Sequence, residues 1–338
     1  MLVSGNILYQ FRSRLHGYHK DAAWHAGWRR PFMGNKGDGR ILLYHGVCKT
    51  DPLRFNTLFI KAKTFEAQLR LYKKYYNLIS LDDFYQQRFD TGKFNLTLTF
   101  DDGFANNYRY VLPLLEQYKV PATFFITGIR KAGYNALWND VLSIAYQYGP
   151  ATLVLGKDKY VKGKGKKYLS LSTGQYLVEI LRAAGFNKKA EMIELLGSYC
   201  QKASHDYWMQ MTQEEIRFLS ASKWVTIGAH GYYHSDLAKI PAASANEEMS
   251  ESKQFLENIT GREIRALAFP YGSYTRETAA LAKKIGYSQM LATEFLFDED
   301  RTDTTFRERL TINPFISNVN QLHANVTGHY KQPENKGL

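Results

Sequence analysis

The sequence predicts an α/β protein built on a parallel sheet or barrel, with a mainly helical insertion. Strand-like runs alternate with helical patterns from residue 40 onward, and strands that are separated by helices are typical of parallel sheets. The alternation stops between about residues 135 and 220, where helical patterns predominate. With an apolar share of 44% over 338 residues, the chain can bury the core of one large domain or of two ordinary ones.

The first half of the chain predicts three strands. A buried strand is expected at 41–46, and apolar residues between 65 and 72 then recur at helical spacing. Ser80 and Asp83 form a capping box at the start of a further helix. The remaining elements of this half are a strand at 96–100, where apolar residues alternate with threonines, a helix through 112–118 and a strand at 122–127.

The second half predicts four more strands. Within the helical insertion a hairpin is expected at about 152–161, and Thr212 with Glu215 forms a capping box for the helix that follows. The later elements are strands at 225–229, 264–269, 288–293 and 309–312, with helices at about 245–258 and 275–285.

Composition excludes a transmembrane helix and a disulfide framework. No run approaches the ~18 consecutive apolar residues that such a helix needs, and Cys48 and Cys200 are expected to be reduced packing residues. The N-terminus lacks the apolar core and cleavage site of a secretory signal. The chain is therefore expected to be cytoplasmic, at the inner face of the membrane if it contacts one.

Part of the net charge of +12 lies in the first forty residues, where basic residues alternate with aromatic ones. This mixture suits peripheral contact with an anionic membrane surface. An arm that packs a few aromatic side chains onto the main domain explains it equally well, and nucleic-acid binding is not expected. A second basic run at 157–167 favours an exposed hairpin or loop.

The strand at 96–100 leads directly into Asp101, Asp102 and Gly103. Two adjacent carboxylates raise one another's pKa unless a cation lies between them. Because neighbouring residues of an extended chain point to opposite faces, one carboxylate can hold a metal ion while the other acts as a base. An ordinary Asp-Gly turn is the alternative, and the pair taken alone favours it.

His230 and His234 follow the strand at 225–229. They share a face if the chain turns helically there, although a lone histidine pair at this spacing is more often structural. Both motifs stand at strand ends, where α/β proteins place their sites. Two imidazoles and one aspartate would form a facial triad for a divalent ion, which leaves the other aspartate for proton transfer.

Pro270, Tyr271 and Gly272 end the strand at 264–269. Such a rigid turn can aim a backbone N–H at a developing oxyanion. An ordinary strand-to-helix turn is the alternative, and it is the better interpretation when the segment is taken alone.

Together the three motifs resemble the polysaccharide deacetylases of carbohydrate esterase family 4, the NodB-like group. The matching segments are TFDDG at 99–103, GAHxxxHxxL at 228–237 and PYG at 270–272. The resemblance covers about 41–312 and implies a distorted (β/α)7-type barrel. We therefore divide the chain into a basic, aromatic extension at 1–38, a catalytic domain at 39–315 with its insertion at about 135–220, and a polar tail at 316–338.

The resemblance assigns a role to each motif residue. Asp101 matches the catalytic base, and the matches to the metal ligands are Asp102, His230 and His234. Pro270, Tyr271 and Gly272 match the wall of the substrate groove, with the Tyr271 N–H in the oxyanion position. The implied ion is zinc, with cobalt, nickel or manganese as alternatives. Trp138 matches a tryptophan near the groove of similar deacetylases, where its face would suit a sugar ring, and a core tryptophan is at least as well supported.

Two positions depart from the family pattern. Ala268 stands where an arginine usually braces the catalytic base, and Arg309 is a candidate replacement. The usual late Leu-x-His motif, the source of the general acid, has only a superficial match at 322–323, beyond the last predicted strand. Tyr44-His45 instead resembles the poly-N-acetylglucosamine deacetylase branch, so His45 is the expected acid. A hydrogen-bonded histidine at a strand end is the alternative.

These features imply metal-dependent removal of an N-acetyl group from an amino sugar, in a polysaccharide or a lipid-linked glycan precursor. A catalytically decayed glycan-binding protein and an O-deacetylase are the alternatives. The expected partners are a carbohydrate and, through the N-terminus, a membrane surface. The sequence specifies neither the sugar nor the oligomeric state.

Overall fold

The computed structural model of the protein describes residues 18–330. In this range the strands are β1 (Gly39–Tyr44), β2 (Val47–Cys48), β3 (Ile60–Lys61), β4 (Asn77–Leu78), β5 (Asn95–Phe100), β6 (Ala122–Ile126), β7 (Thr152–Leu155), β8 (Asp158–Lys162), β9 (Tyr168–Ser170), β10 (Val225–Ala229), β11 (Ala266–Ala268), β12 (Gln289–Ala292), β13 (Phe306–Glu308) and β14 (Leu310–Thr311). The α-helices are α1 (18–25), α2 (Ala62–Tyr75), α3 (Leu81–Tyr85), α4 (Leu112–Tyr118), α5 (Trp138–Tyr148), α6 (Leu177–Ala183), α7 (Phe186–Leu196), α8 (Gln213–Ala221), α9 (Ala242–Thr260), α10 (Arg276–Ile285) and α11 (Asn318–Thr327).

A nine-stranded parallel sheet curves into a nearly closed barrel. Its strands follow the order β13-β12-β11-β10-β6-β5-β1-β14, with β4 paired to β5. The first and last strands of this order are consecutive in the chain, because the segment 306–311 is interrupted only at Arg309. The Arg309 N–H donates to the Ala292 carbonyl at 3.1 Å, and beyond β14 the Ile312 N–H donates to the Leu43 carbonyl at 2.9 Å. One segment therefore borders both edges of the sheet, and the predicted α/β barrel is confirmed.

The wall of the barrel is buried on both sides. A large apolar cluster lies between the strands and the surrounding helices, and a small cluster fills the interior, formed by Ile41, Leu81, Phe125, Ala266, Ala268 and Leu291. All six residues of β5 are buried, although three are polar. The Thr99 hydroxyl donates to the Leu42 carbonyl at 2.8 Å, which offsets the cost of burying it. The alternating pattern that predicts β5 therefore marks a fully buried strand.

The insertion forms a core of its own. The sheet β7-β8-β9 is antiparallel, and a separate apolar cluster joins it to α5, α6 and α7. The predicted hairpin corresponds to β7 and β8, and β9, only three residues long, carries no pattern by which the sequence could reveal it. Cys48 and Cys200 are buried and free within this cluster, as predicted.

Both predicted helix caps are present, with one difference. Thr212 and Glu215 form a full capping box at α8. Ser80 caps α3 by accepting from the Asp83 N–H. The Asp83 carboxylate, however, accepts from the Ser80 hydroxyl at 2.6 Å rather than from its backbone.

The described part of the N-terminal segment packs at the amino ends of the strands. The ring of Trp24 meets the rings of Phe32 and Tyr75 at 5.3 and 5.1 Å, and the Gly37 N–H donates to the Lys93 carbonyl. Trp28 has an exposed fraction of 75%. Residues 1–17, which carry further basic and aromatic side chains, lie outside the described range. Within residues 18–330 no helix is long and apolar enough to span a membrane.

The C-terminal segment contributes a packed helix. Residues 318–327, which the sequence places in a polar tail, form α11 and pack beside β1 and α2. Leu322 is buried in the main core, and the Gln321 and Asn325 side chains bond to each other at 2.8 Å. The paired amides explain how a polar sequence can be buried here.

Candidate active site

The motif residues converge on one cavity at the carboxyl ends of the barrel strands. Asp101 and Asp102 follow β5, His230 follows β10, and His45 follows β1. The cavity has a volume of about 600 Å³ and lies between these strand ends and the insertion. Its inner lining also includes His234, Tyr271, Gly272, Thr293, Arg309 and Thr311. Function in α/β barrels is usually located at this end.

Arg309 braces Asp101 with two parallel hydrogen bonds. Its Nη1 and Nη2 atoms each lie 2.7 Å from a different carboxylate oxygen of Asp101. Burial by itself raises the pKa of Asp101, but Arg309 and His230 outweigh it, so the pKa lies below its ordinary value. Asp101 is therefore a carboxylate, as a base must be. Ala268 cannot brace Asp101. Arg309, the candidate replacement, does brace it, from the segment between β13 and β14.

Asp102, His230 and His234 form a group that can hold a metal ion. One ligand atom from each residue lies within 4.8 Å of the other two. The Nε2 atoms of His230 and His234 approach Asp102 Oδ1 to 3.4 and 3.2 Å. The Nδ1 atom of His230 lies 2.7 Å from the Ala268 carbonyl. Because a carbonyl can only accept, His230 carries its proton on Nδ1 in the neutral form and turns the Nε2 lone pair toward the group.

The electrostatics of this group favour a cation. Burial raises the pKa of Asp102, but the contacts with His230 and His234 outweigh it and hold the pKa well below its ordinary value. Burial lowers the pKa of His230, yet Asp101 and Asp102 raise it further, so the net shift is upward. Carboxylates thus attract positive charge to the point where the ligand atoms meet, and a divalent ion would supply it.

The backbone bends sharply at three site residues. Asp102, His234 and Tyr271 have φ values of 75°, 56° and 61°, and residues other than glycine rarely adopt this region. Gly272 has a φ of 64°, and a Cβ there would lie 2.2 Å from the Thr293 hydroxyl oxygen. Strained conformations of this kind persist where the surrounding structure fixes them, and they cluster at functional sites.

The ring of Tyr271 contacts both His234 and the insertion. Its centroid is 4.8 Å from that of His234. The central carbon of the Arg182 guanidinium lies 4.6 Å from the same centroid. Arg182 also donates from Nε to Asp236 at 2.7 Å, and the Asp236 side chain is fully buried. Helix α6 of the insertion is thereby tied to the loops that carry His234 and Tyr271.

His45 lines the cavity, but it is not poised as a ready acid. Burial lowers its pKa despite the opposing effect of Asp102 and Asp101, so the ring is neutral near pH 7. Its Nδ1 atom is buried and has no hydrogen-bond partner among the described residues. The alternative match at 322–323 lies on α11, where the ring of His323 packs against Phe32 at 5.9 Å, outside the lining of the cavity.

Trp138 occupies the core of the insertion instead of the cavity wall. Its exposed fraction is 1%, its Nε1 lies 3.4 Å from the His234 carbonyl, and it is absent from the lining. This corresponds to the core interpretation of the residue. Pro270 is likewise buried behind the turn. The next residues on α5, Asn139 and Asp140, line the cavity instead, because successive helical residues point in different directions.

Sequence reasoning missed three contributors to the site. Burial, with Asp102 nearby, raises the pKa of Asp140 well above its ordinary value, which favours the protonated form of this side chain in the cavity wall. Its position beside Trp138 was the available signal. Arg182 and Asp236 carry no local pattern, since their pairing depends on how the insertion packs on the barrel.

A family model for polysaccharide deacetylases matches residues 89–150 and 195–290. The chain belongs to the polysaccharide deacetylase family. The two matched segments carry the aspartate pair, both histidines and the Pro-Tyr-Gly turn. The residues between them, 151–194, hold the three-stranded sheet and α6 of the insertion.

Curated and solved relatives are similar to this deacetylase at low identity. YxkH of Bacillus subtilis (strain 168), named as a polysaccharide deacetylase, is 21% identical over 259 residues, which are 75% of this chain and 64% of YxkH. The chain thus spans less than two thirds of that relative. The deacetylase PplD of Streptococcus pyogenes, solved with acetate, has a TM-score of 0.53 at 18% identity and covers 85% of this chain and 97% of its own. IcaB of Ammonifex degensii has a TM-score of 0.52 at 19% identity, with coverages of 87% and 98%.

The polysaccharide deacetylase family consists of hydrolases that act on carbon–nitrogen bonds of acetylated sugars. The solved relatives, all below 25% identity, support the fold.

Proposed function

We propose that this polysaccharide deacetylase removes an N-acetyl group from an amino sugar by metal-dependent hydrolysis. The substrate would be a polysaccharide or a lipid-linked glycan precursor. The observation that carries the proposal is that the two adjacent aspartates have different contacts. Asp101 is held as a carboxylate by Arg309, while Asp102 faces both histidines.

The donor set fits a divalent ion. Asp102, His230 and His234 would hold it, and two imidazoles with one carboxylate suit zinc first, with cobalt, nickel or manganese as alternatives. When bound, such an ion polarises a carbonyl and lowers the pKa of water. The orientation of His230 by the Ala268 carbonyl supports this assignment, because metal-binding histidines usually have such a partner.

The chain's own residues would then carry the proton transfers. Asp101 takes a proton from the attacking water, and the Tyr271 N–H donates to the oxyanion that develops on the acetyl carbonyl. The leaving nitrogen needs a proton to depart as an amine. His45, which lines the same cavity, is our candidate for delivering it.

The neutral state of His45 sets a condition on that role. A proton has to reach the ring during the reaction, and Asp101 holds one after it has taken it from water. We therefore propose that the proton passes from Asp101 to the amine through His45. If Asp101 returned the proton directly, His45→Gln would keep near wild-type turnover, whereas the relay predicts a loss of about 100-fold.

Two alternative functions are separable by experiment. The first measurement is acetate release from matched N-acetylated and O-acetylated sugars, both free and lipid-linked. The second is the metal content of the same protein preparation. We expect N-acetyl substrates to be favoured and about one divalent ion per chain. Preference for O-acetyl sugars would identify an O-deacetylase. A chain that binds glycans with no release and no ion would be a decayed binding protein.

We also propose that the basic, aromatic N-terminal segment contacts the inner face of a membrane. Trp28 is exposed, and Arg29 and Arg30 beside it are exposed too, which suits an anionic surface. Trp24 and Phe32, by contrast, are buried against the main domain. This contact would lie at the amino ends of the strands, opposite the cavity.

A further inference from the structure

The outer part of the catalytic cavity is lined by cations from two separate elements. Arg54 comes from the loop after β2, and Lys166 and Lys167 come from the loop between β8 and β9 in the insertion. These loops are far apart in sequence and converge on one opening. Arg54 and Lys166 are exposed, and Lys167 is partly exposed. The side chains can therefore reach a bound molecule while remaining in contact with solvent.

No carboxylate neutralises these three cations within residues 18–330. The ion pairs of that range involve other basic residues. Arg54 donates to the Tyr148 hydroxyl at 2.7 Å and stacks on Phe55 at 5.4 Å, which positions its guanidinium without cancelling its charge. The acidic residues in the cavity lining are Asp101, Asp102 and Asp140, and all three are buried deeper.

The loop of the insertion concentrates positive charge. It carries three lysines, at positions 164, 166 and 167, and Lys162 is the last residue of the strand before it. Burial lowers the pKa of Lys162, and the charge of Lys166 lowers it further, as expected when like charges are held close together. Gly165 and Lys166 have φ values of 68° and 62°, so the loop bends where these side chains meet the cavity. Repulsion of this kind is relieved when an anion binds.

The described part of the cationic N-terminal segment, residues 18–38, lies at the other end of the barrel. Its residues 32–38 pack beside Phe94 and Lys93, at the amino end of β5, whereas Asp101 follows the carboxyl end. Six strand residues separate the two ends by about 20 Å. An anionic group on a substrate whose acetyl group reaches Asp101 would meet Arg54 and the insertion loop instead.

We infer that Arg54, Lys166 and Lys167 form a subsite for an oxyanion group carried by the substrate. The inference rests on the proposed function and narrows it to an acetamido sugar with an attached anion. Phosphate of a diphosphate-linked sugar and carboxylate of a uronic acid share this chemistry, since arginine binds both in a bidentate manner and lysine binds either as a point charge. Neutral polymers would bind without using the subsite.

The test compares three acetamido substrates with the metal-loaded full chain. They are a neutral N-acetylglucosamine oligosaccharide, UDP-N-acetylglucosamine, and an oligosaccharide that alternates N-acetylglucosamine with glucuronate. We expect kcat/KM to favour one of the anionic substrates, and the favoured one identifies the anion. In the double variant Lys166→Gln/Lys167→Gln this preference should fall about tenfold, mainly through KM, as expected when two partly exposed charge contacts are lost.

Lys164→Gln is the matched control, because Lys164 belongs to the same loop and is exposed but does not line the cavity. It should leave the preference unchanged. Equal kcat/KM for neutral and anionic substrates, or an equal loss in Lys164→Gln and in the double variant, would overturn the inference. Arg54→Gln should act like the double variant, which shows that both loops contribute.

A binding measurement separates this inference from the proposed function. Calorimetry of uridine diphosphate with the full chain needs no turnover, and we expect the double variant to bind about tenfold more weakly than wild type. Absence of acetate release with this binding difference intact would contradict the function and keep the subsite. Acetate release without the binding difference, and without a preference for either anionic substrate, would support the proposed function and contradict the subsite.

Discussion

At Asp101, burial and the charge of Arg309 act in opposite directions on the pKa of one carboxyl group. Burial would protonate it, and the guanidinium at 2.7 Å keeps it ionised. Arg309 is itself buried, and its guanidinium carbon lies 5.3 Å from the centroid of the Phe125 ring. Two such groups are stable in the barrel interior only as a pair, since an unpaired buried charge is costly.

Replacing Arg309 should therefore damage both activity and stability. We expect Arg309→Met to lower acetate release at least about 100-fold and the free energy of unfolding by about 3 kcal/mol. Arg309→Lys keeps the charge but loses the two parallel bonds, so it should recover part of both losses. Arg307→Met is the control, because Arg307 stacks on Tyr85 and does not touch Asp101. Wild-type acetate release by Arg309→Met would contradict the role of the brace.

Lys189 gives a test that depends on pH. Burial lowers its pKa from 10.5 to about 8, although Glu248 and Asp236 oppose the shift. Between these two values the unfolded chain binds more protons than the folded one, so this residue makes stability rise with pH. Lys189→Met should be more stable than wild type at pH 7 by on the order of 2 kcal/mol, and the advantage should shrink from pH 8 to pH 10. Denaturant unfolding across this range measures it.

Lys188→Met serves as the control for that series, because Lys188 is adjacent and only partly buried. The pH trend of Lys189→Met is compared with the trend of this variant. Identical trends in the two variants would show that Lys189 is not a buried cation with a lowered pKa.

The residues that the sequence identified follow strands directly. Asp101, Asp102 and His230 each stand within two residues of a strand end, so local alternation and motif order locate them together. Arg309 could be named only as a candidate, because its partner lies 208 positions away. Its role depends on the closure of the barrel, which is a property of the whole sheet.

Among the elements, the insertion does more than cover the barrel. Helix α6 carries Arg182, which contacts both Tyr271 and Asp236. Tyr271 holds a φ of 61°, and a strained residue keeps its conformation only while its surroundings fix it. Arg182 is thus a positioning residue for the turn that is proposed to bind the oxyanion.

We expect Arg182→Met to lower kcat about tenfold with little change in KM, because the turn contributes mainly in the transition state. Arg182→Lys should restore part of kcat by keeping the cation over the ring. Lys157→Met removes a charge from the exposed turn of the same insertion and should change neither constant. A pure rise in KM for Arg182→Met would point to substrate binding instead of positioning.

The sequence predicted the barrel elements better than those of the insertion. Strand β10 coincides with its prediction, because a β-branched apolar run precedes a glycine. The short strands β9 and β13 have three residues each, too few for a periodic pattern. They form because neighbouring strands complete their hydrogen bonds. The role of Trp138 was equally beyond local pattern. A tryptophan is suited to stacking against a sugar ring, but the packing of α5 buries this one.

For the whole molecule, the cavity and the described part of the N-terminal segment, residues 18–38, occupy opposite ends of the barrel. Deleting residues 1–38 would uncover Tyr75 and Tyr76, so a single exposed side chain gives a cleaner test of membrane contact. We expect Trp28→Ser to weaken cosedimentation with phosphatidylglycerol vesicles about threefold or more, because an interfacial tryptophan is lost. Exposed Phe218→Ser is the control. Equal binding by Trp28→Ser and wild type would remove the support for this surface.

The central claim is that Asp101 acts as the base while Asp102 holds the metal ion. Its most direct test is acetate release from the best N-acetyl substrate by a metal-loaded Asp101→Asn variant. The amide cannot accept the water's proton, yet Asp102, His230 and His234 are left in place. We predict a divalent ion content equal to that of wild type and a turnover lower by about 1000-fold. Near wild-type acetate release by Asp101→Asn, with the ion bound, would contradict the role of Asp101 as the base.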